Sequence, residues 1–385
     1  MEGFWNWINS LFINFKGLSY LGSAAVLTNA IGGIFWVYMA SLLGAENYGE
    51  ISYYISISML IASISLIGAP NLLIVFVAKG EKIQSTVFLI SILSSITTAV
   101  ILFFIFGNLG ISLYTIGFVI FTLATSDLIG LKKYKDYSIY LVAQRILMVG
   151  LAILFYYILG PNGVILGISI SFLLVVPKIY KTLKNPINFP LYKSKAKFVA
   201  NNFAIDISGL FRGYLDKLII APILGFALLG NYQLGIQFLA IISLIPNVIA
   251  QYLLPQEASG RINSKLKILA VLSSIIFAII GYFVSPILLP IIFPKYVESI
   301  QIIQIMSFAI IPGTINSMFM IKYLAKEQPK INLIGSIIFI VTQIIGIFTL
   351  GELFGIYGVA AAMVIALSLE SGYFTIIDKI IFRGK

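Results

Sequence analysis

The most constraining feature of the sequence is a succession of twelve apolar stretches, each long enough to cross a bilayer as a helix. A transmembrane helix needs about 20 mainly apolar residues. Many connections are very short, such as Gly107-Asn108, so neighbouring helices must be antiparallel. The predicted fold class is therefore an all-α polytopic membrane protein. Its spans are predicted at 20–43, 50–77, 84–106, 109–130, 138–159, 163–180, 198–224, 230–254, 267–292, 298–321, 331–350 and 356–378.

The residue types that are missing exclude several classes of function. Only 10% of the residues are charged, against roughly 25% in a soluble domain. Cysteine and histidine are both absent, which rules out disulfides, Cys–His and Ser–His–Asp nucleophiles, and metal sites built from these side chains. We expect no enzymatic activity and no bound cofactor.

The placement of the basic residues predicts the orientation of the chain. With the N-terminus inside, 21 of the 25 Lys and Arg residues fall in cytoplasmic segments and one, Lys295, falls outside. Arg145, Arg212 and Lys217 remain within spans. This asymmetry is what the positive-inside rule requires, so both termini are predicted to be cytoplasmic and the protein to lie in the cytoplasmic membrane. The net charge of +11 thus reflects topology, and no nucleic-acid partner is expected.

Four segments are predicted from these patterns. Apolar residues recur at helical spacing in residues 1–17, which predicts an interfacial amphipathic helix. Residues 18–180 form an N-terminal lobe with spans one to six, and residues 198–385 form a C-terminal lobe with spans seven to twelve. The lysine-rich residues 181–197 form a basic cytoplasmic linker between the lobes.

Two short patterns indicate that the lobes are repeats of one another. The pattern L-G-x4-G occurs at Leu43–Gly49 and again, 181 residues later, at Leu224–Gly230. The pattern G-x2-G occurs at Gly160–Gly163 and again, 195 residues later, at Gly355–Gly358. Each pair falls at corresponding outer turns. Six spans per half make the repeat parallel, a symmetry that transporters use to build a substrate site between their halves.

The first of these turns also carries a family resemblance. Leu43-Gly44-Ala45-Glu46-Asn47-Tyr48-Gly49, followed by Glu50-Ile51-Ser52, resembles the polysaccharide transporter family, the lipid-linked oligosaccharide flippases of the multidrug/oligosaccharidyl-lipid/polysaccharide exporter superfamily. The resemblance implies a MATE-like architecture with two six-helix lobes around a central cavity that opens alternately to each side. It also implies export of a polyprenyl (pyro)phosphate-linked glycan. With twelve predicted spans, we do not expect the chain to be one of the fourteen-span peptidoglycan-precursor flippases.

The basic residues within spans are the candidate substrate-binding groups. Arg145, Arg212 and Lys217 are predicted to line the cavity and to neutralise the anionic head of the lipid-linked substrate. The alternative is that they form buried pairs, Arg212 with Asp216 at i,i+4 and Arg145 with Asp127 across a hairpin. If Arg212 pairs with Asp216, Lys217 remains as the free cation of span seven.

Acidic residues and prolines within spans suggest further roles. Asp206, Asp216 and Glu370 are candidates for coupling transport to H+ or Na+, because a carboxylate in a cavity can exchange a proton or bind an ion. A structural hydrogen bond is the alternative for Asp206 and Glu370. Pro70 and Pro246 interrupt corresponding spans and are predicted hinges.

The predicted function is to flip a polyprenyl (pyro)phosphate-linked oligosaccharide or polysaccharide precursor from the cytoplasmic to the outer leaflet. The expected partners are this lipid-linked glycan, membrane lipids and glycan-assembly enzymes, with the monomer as the functional unit. Two alternatives stay open, a multidrug or small-molecule cation antiporter and an integral-membrane glycan polymerase or glycosyltransferase. The enzyme is disfavoured because the longest loop, Lys178–Lys197, contains no acidic residue.

Overall fold

The described part of the chain consists of helices joined by short turns and loops. The computed structural model describes residues 2–244, 246, 249, 264–296, 298–326 and 328–382, and it describes side chains from Tyr20 onwards except at 204, 205, 208, 325, 381 and 382. Within these residues there is no β-strand, so the predicted all-α class is confirmed. The side chains of the predicted interfacial helix, residues 1–17, lie outside the described residues, although the backbone is helical from Glu2.

The helices follow most of the predicted spans, but predicted span eight, 230–254, is described only up to residue 244 and at 246 and 249. They are α1 (Glu2–Leu66), α2 (Ala69–Ala78), α3 (Gln84–Phe106), α4 (Leu109–Gly130), α5 (Tyr134–Leu159), α6 (Pro161–Ser171), α7 (Val176–Leu183), α8 (Phe189–Ser194), α9 (Ala196–Leu224), α10 (Phe226–Ile242), α11 (Ser264–Ile292), α12 (Ser299–Ser307), α13 (Ile310–Ala325) and α14 (Pro329–Phe382).

Several helices are long and apolar enough to cross a membrane. Seven in the described residues meet that test, or eight if the bent pair α12–α13, with a 44° bend, counts as one span. Two of the seven, Tyr20–Leu66 and Pro329–Ile380, are 47 and 52 residues long. At 1.5 Å per residue each would measure about 70 Å or more, over twice the hydrocarbon thickness of roughly 30 Å. Each is broken, at Gly44 and at Gly355, where one predicted span gives way to the next.

The turn glycines adopt matching conformations in the two halves of the sequence. Gly44 has φ 76° and ψ 170°, and its counterpart Gly225 has φ 87° and ψ 168°. Gly160 has φ 70° and ψ −157°, and its counterpart Gly355 has φ 58° and ψ −140°. This region of φ/ψ space is essentially restricted to glycine. The two sequence patterns therefore form the same two turns twice, as a parallel repeat requires.

The chain divides into two compact units, one comprising Met1–Phe35 and Tyr54–Leu210 and the other Trp36–Tyr53 and Phe211–Lys385. We call them unit 1 and unit 2. The lobe boundaries at 18–180 and 198–385 stay predictions.

In unit 1 the predicted basic linker is a docked segment. The Ser85 hydroxyl donates to the Thr182 carbonyl over 2.8 Å, and the Asn188 amide donates to the Thr86 hydroxyl over 2.8 Å. Lys195 pairs with Glu81 at 3.0 Å. These bonds attach residues on either side of Pro186 and Pro190 to the start of α3 and to the turn before it.

In unit 2 the two L-G-x4-G turns pack against each other. A Cβ on Gly49 would lie 1.9 Å from the Phe226 carbonyl oxygen, and a Cβ on Gly230 would lie 1.8 Å from the Ala45 carbonyl oxygen. Ala45 and Phe226 occupy the same position in the two patterns, as do Gly49 and Gly230, so the contact is reciprocal. The last glycine of each pattern thus allows two helix backbones to approach closely.

Replacing Gly230 with alanine is expected to lower stability by about 1–3 kcal/mol, the usual effect of overpacking. The added methyl would meet the Ala45 carbonyl, which belongs to a helix backbone and can move only with that helix. Thermal unfolding in detergent measures the change. Gly150→Ala is the control, because a Cβ on Gly150, within α5, has no atom within 4 Å. An equal loss of stability in both variants would contradict the packing argument.

Candidate functional site

Three charged residues of α9, Arg212, Asp216 and Lys217, are paired, but not as the i,i+4 rule predicts. The Nη1 and Nη2 atoms of Arg212 donate to the two carboxylate oxygens of Glu370, over 2.6 and 2.7 Å. Glu370 lies 158 residues further along the chain, in the part of α14 that follows the break at Gly355. The predicted Arg212–Asp216 pair is therefore wrong, because a bidentate carboxylate from another helix occupies the guanidinium group.

Glu370 is the best-enclosed charged group of this cluster. It is 0% exposed, whereas the Arg212 side chain is 25% exposed. Asn316 of α13 donates to the same carboxylate over 2.8 Å and itself accepts a bond from Ser371. The Arg212 guanidinium lies over the Phe339 ring, 4.3 Å from its centroid, an attractive cation–π geometry. We call Arg212, Glu370, Asn316, Ser371 and Phe339 the Glu370 cluster.

A second buried cluster surrounds Asp216. One carboxylate oxygen accepts bonds from the Lys217 backbone amide over 2.8 Å and from the Lys217 ammonium over 3.2 Å, and the other accepts from the Tyr232 hydroxyl over 2.9 Å. Lys217 also donates to the Gly213 carbonyl over 2.9 Å. The expectation that Lys217 is a free cation is therefore wrong. Asp216 can pair with Lys217 because Arg212 pairs with Glu370 instead.

Arg145 is the predicted site residue without an acidic partner among the described residues. Its predicted alternative partner, Asp127, pairs instead with Lys178 at 2.5 Å. The Arg145 guanidinium donates to the Met148 sulfur over 3.4 Å, and a Cβ on Gly32 would lie 3.7 Å from the guanidinium carbon. The Arg145 side chain is thus partly buried against α1, with no carboxylate within ion-pair distance in the part of the chain that the structure describes.

The remaining predicted residues are placed as follows. Asp206 is half-buried on α9 and has no ion-pair partner among the described side chains. Pro70 follows a break at Ile67 and Gly68, which both have positive φ, so it stands at the start of α2 and does not kink a continuous helix. Pro246 is buried, and its neighbours 245, 247 and 248 lie outside the described residues. The hinge roles stay predictions.

Two of the three carboxylates proposed for ion coupling, Glu370 and Asp216, face hydrogen-bond donors and cationic side chains. Glu370 faces Arg212 and the Asn316 amide, and Asp216 faces Lys217 and Tyr232. The positive charge of the neighbouring Arg212 or Lys217 side chain repels Na+. The described residues contain no group of three His, Cys, Asp or Glu that could hold a metal ion. The coupling roles of Asp206, Asp216 and Glu370 stay predictions.

Four residues that complete the clusters were not predicted from the sequence, namely Asn316, Ser371, Tyr232 and Phe339. Asn316 could have been found, because an amide in an apolar span must find a partner within the protein. Tyr232 and Phe339 could not, because tyrosine and phenylalanine are common throughout these spans.

Comparison with known proteins identifies the fold. No protein-family model matches the chain, and no curated protein matches it. Among solved structures, the lipid II flippase MurJ in an inward closed conformation matches with a TM-score of 0.80 at 16% identity, over 93% of this chain and 87% of that one. An inward-facing multidrug resistance MATE family transporter of the MOP superfamily matches with a TM-score of 0.66 at 13% identity, over 92% and 93% of the two chains.

A MATE structure in complex with MaL6 also matches, with a TM-score of 0.63 at 12% identity over 95% of both chains. The protein is therefore a multi-pass α-helical membrane protein with the fold that MurJ and the MATE transporters share. This confirms the resemblance read from the outer turns at the level of the fold. At such low identities the likeness identifies the architecture and leaves the substrate to be argued from the residues.

Proposed function

We propose that this protein flips a polyprenyl (pyro)phosphate-linked oligosaccharide or polysaccharide precursor from the cytoplasmic to the outer leaflet by alternating access. The likeness to a structure described as a lipid II flippase supports transport of a lipid-linked glycan. The proposal places the protein in the cytoplasmic membrane as a monomer with both termini inside, in contact with membrane lipids and glycan-assembly enzymes.

The observation that carries the proposal is that Arg145 has no acidic partner among the described residues. An arginine at the centre of a membrane helix costs about 2.5–3.5 kcal/mol on insertion scales, and intramembrane arginines are almost always paired or face an aqueous cavity. Asp127, Asp216 and Glu370 each have a basic partner in the structure, whereas Arg145 has no acidic one among the described residues. A permanently charged, bidentate donor that has no carboxylate partner among the described residues suits a phosphate or diphosphate.

The same observation argues against export of cationic drugs. Likeness to MATE transporters is compatible with that alternative. An organic cation, however, would be repelled by the Arg145 guanidinium. Of the acidic residues within spans that could attract it, Glu370, Asp216 and Asp127 are paired with Arg212, Lys217 and Lys178, which leaves Asp206. The anionic substrate is therefore the better match to the charges of the described residues.

Replacing Arg145 with glutamine is expected to weaken binding of an anionic lipid head about 10- to 100-fold, because a hydrogen bond to a charged group contributes about 1.5–3 kcal/mol. The probe is geranylgeranyl diphosphate, titrated into purified protein in detergent. R145K should bind with intermediate affinity, because an ammonium group keeps the charge but loses the bidentate geometry.

Lys195→Gln is the matched control, because Lys195 is a basic residue of the same unit that already pairs with Glu81. Its loss should leave diphosphate affinity unchanged. Equal affinity of wild type and R145Q would refute the role of Arg145. Binding of tetraphenylphosphonium in place of the diphosphate would favour the cation exporter.

A further inference from the structure

The break in α1 brings two aromatic residues of unit 2, Trp36 and Tyr48, together. In a continuous helix, their separation in sequence would place them about 18 Å apart along the axis. Because the helix breaks at Gly44, their ring centroids lie only 6.1 Å apart, edge to face. The Tyr48 ring also lies 6.4 Å from the ring of Tyr296, whose hydroxyl donates to the Ala40 carbonyl over 2.8 Å. The break therefore builds an aromatic group around Tyr48.

Two buried polar atoms at this place have no hydrogen-bond partner among the described residues. They are the Tyr48 hydroxyl oxygen and the side-chain oxygen of Gln233 on α10. Gln233 and Gln237, one turn apart on α10, face the Tyr48 hydroxyl, but neither completes a hydrogen bond of normal geometry with it. We call Trp36, Tyr48, Gln233 and Gln237 the Tyr48 cluster.

A polar residue next to this cluster is fully satisfied. Asn231, two residues before Gln233, accepts a bond from the Ser299 hydroxyl over 2.7 Å and donates to the Ala227 carbonyl over 3.0 Å. A buried polar group without a partner is costly, and it is especially so within a membrane span, where no solvent can replace the partner. The unpaired atoms of Tyr48 and Gln233 therefore indicate a ligand group that bonds to both.

The chemistry of the two atoms specifies that group. The Tyr48 hydroxyl can donate a hydrogen bond, and the Gln233 side-chain oxygen can only accept one. A single alcohol group accepts the first bond and donates the second, whereas an ionised phosphate cannot donate and an ammonium group cannot accept. The four side chains of the Tyr48 cluster are uncharged, and the partly exposed Trp36 ring offers an apolar face to the C–H side of a sugar ring.

We propose that the Tyr48 cluster binds a sugar ring of the lipid-linked glycan, with one sugar hydroxyl bonded to both Tyr48 and Gln233. The inference rests on the proposed function and adds to it the residues that recognise the neutral part of the substrate. Arg145 keeps its separate role towards the anionic head.

Access to the Tyr48 hydroxyl is controlled by the two glutamines. Tyr48 is 0% exposed, whereas Gln233 and Gln237 are partly exposed. A glutamine side chain rotates between staggered conformations at several bonds, so both amides can turn aside while the α10 backbone stays in place. The sugar hydroxyl then reaches Tyr48, and the Gln237 amide supplies further donors and an acceptor beside it.

Replacing Tyr48 with phenylalanine tests the assignment, because it removes only the hydroxyl. Geranylgeranyl diphosphate carrying N-acetylglucosamine, glucose or galactose on its terminal phosphate is titrated into full-length protein in detergent, in parallel with bare geranylgeranyl diphosphate. Y48F is expected to bind at least one glycosylated probe about tenfold more weakly than wild type, since it lacks one hydrogen bond to the sugar. Its affinity for the bare diphosphate should be unchanged. Gln233→Met should show the same difference between the probes.

Thermal unfolding separates this role from a structural one. Since the Tyr48 hydroxyl has no partner among the described residues, Tyr48→Phe should not lower the unfolding temperature. Tyr323→Phe is the control, because Tyr323 is also 0% exposed in unit 2 and its hydroxyl donates to the Phe374 carbonyl over 3.2 Å. The control should lower the unfolding temperature and leave the affinity for all four probes unchanged.

The outcomes separate the sugar site from the proposed function. Failure of wild type to bind any of the four probes would refute the proposed function. Normal affinity of Y48F and Q233M for the glycosylated probes, as expected if a water molecule bonds to both atoms, would refute the sugar site alone. An equal loss for glycosylated and bare probes would refute it as well. A lower unfolding temperature of Y48F would show that the hydroxyl is bonded within the protein, and it would also overturn the assignment.

Discussion

Replacing Arg212 with methionine is expected to destabilise the protein by about 3–5 kcal/mol, and replacing Glu370 with leucine at the same time is expected to recover most of that loss. The single substitution leaves the Glu370 carboxyl group 0% exposed and without its basic partner. The double substitution removes both charges and leaves apolar side chains of similar size. Since the Coulomb attraction of a buried pair largely repays its desolvation, losing both partners is much less harmful than losing one.

The exposure of the two side chains also predicts the order of the single variants. Glu370→Leu leaves Arg212, which is 25% exposed and keeps its contact with Phe339. It should therefore be less destabilising than Arg212→Met. Thermal unfolding in detergent measures all three variants, and for a chain of this length 4 kcal/mol corresponds to a shift of about 5 °C.

The matched control is the Lys195–Glu81 pair. Its side chains are 22% and 26% exposed, and its separation is 3.0 Å. Replacing either of its members should change stability by about 1 kcal/mol or less, as is usual for solvated pairs. If Arg212→Met proved no more harmful than Lys195→Met, the Glu370 cluster would not be the tightly coupled group that its geometry indicates.

Linking the two L-G-x4-G turns covalently is expected to abolish transport. The Tyr53 and Phe226 rings lie 5.6 Å apart, on the two helices that meet at Gly49 and Gly230. These helices belong to opposite halves of the sequence repeat. Alternating access, as proposed, requires the outer turns to separate when the substrate is released on the outer side. A cross-link that prevents separation should therefore stop the cycle.

The chain is well suited to this experiment because it contains no cysteine. Tyr53→Cys and Phe226→Cys are combined, and the protein is reconstituted in liposomes with an NBD-labelled polyprenyl diphosphate-linked disaccharide. Dithionite quenching reports the label that reaches the outer leaflet. A reducible methanethiosulfonate cross-linker should lower the rate to the protein-free level, and dithiothreitol should restore it.

A cross-link within unit 1 provides the control. Tyr54 and Phe106 have ring centroids 6.1 Å apart, so the Tyr54→Cys/Phe106→Cys variant is treated in the same way. Its cross-link joins α1 to α3 within one half of the sequence repeat, whereas Tyr53 and Phe226 belong to opposite halves, so it should leave transport unchanged. Continued transport in the cross-linked Tyr53–Phe226 variant would show that the two turns need not separate.

The sequence by itself determined the helices and the turns between them. Apolar run length is a local property, so the spans could be counted before any contact was known. The turns were also local, because Gly44, Gly160, Gly225 and Gly355 occupy backbone conformations that other residues rarely adopt. Equivalent positions in the two halves then showed the repeat.

Only the tertiary structure decided which charges meet. The i,i+4 rule assigned Asp216 to Arg212, but a bidentate carboxylate 158 residues away holds Arg212 more strongly than a helical neighbour can. Because Arg212 pairs with Glu370, Asp216 pairs with Lys217. Lys217 is therefore not the free cation that was predicted. In the same way, Asp127 pairs with Lys178, and Arg145 has no acidic partner among the described residues. Ion pairs depend on distances between helices, and a linear sequence does not encode those distances locally.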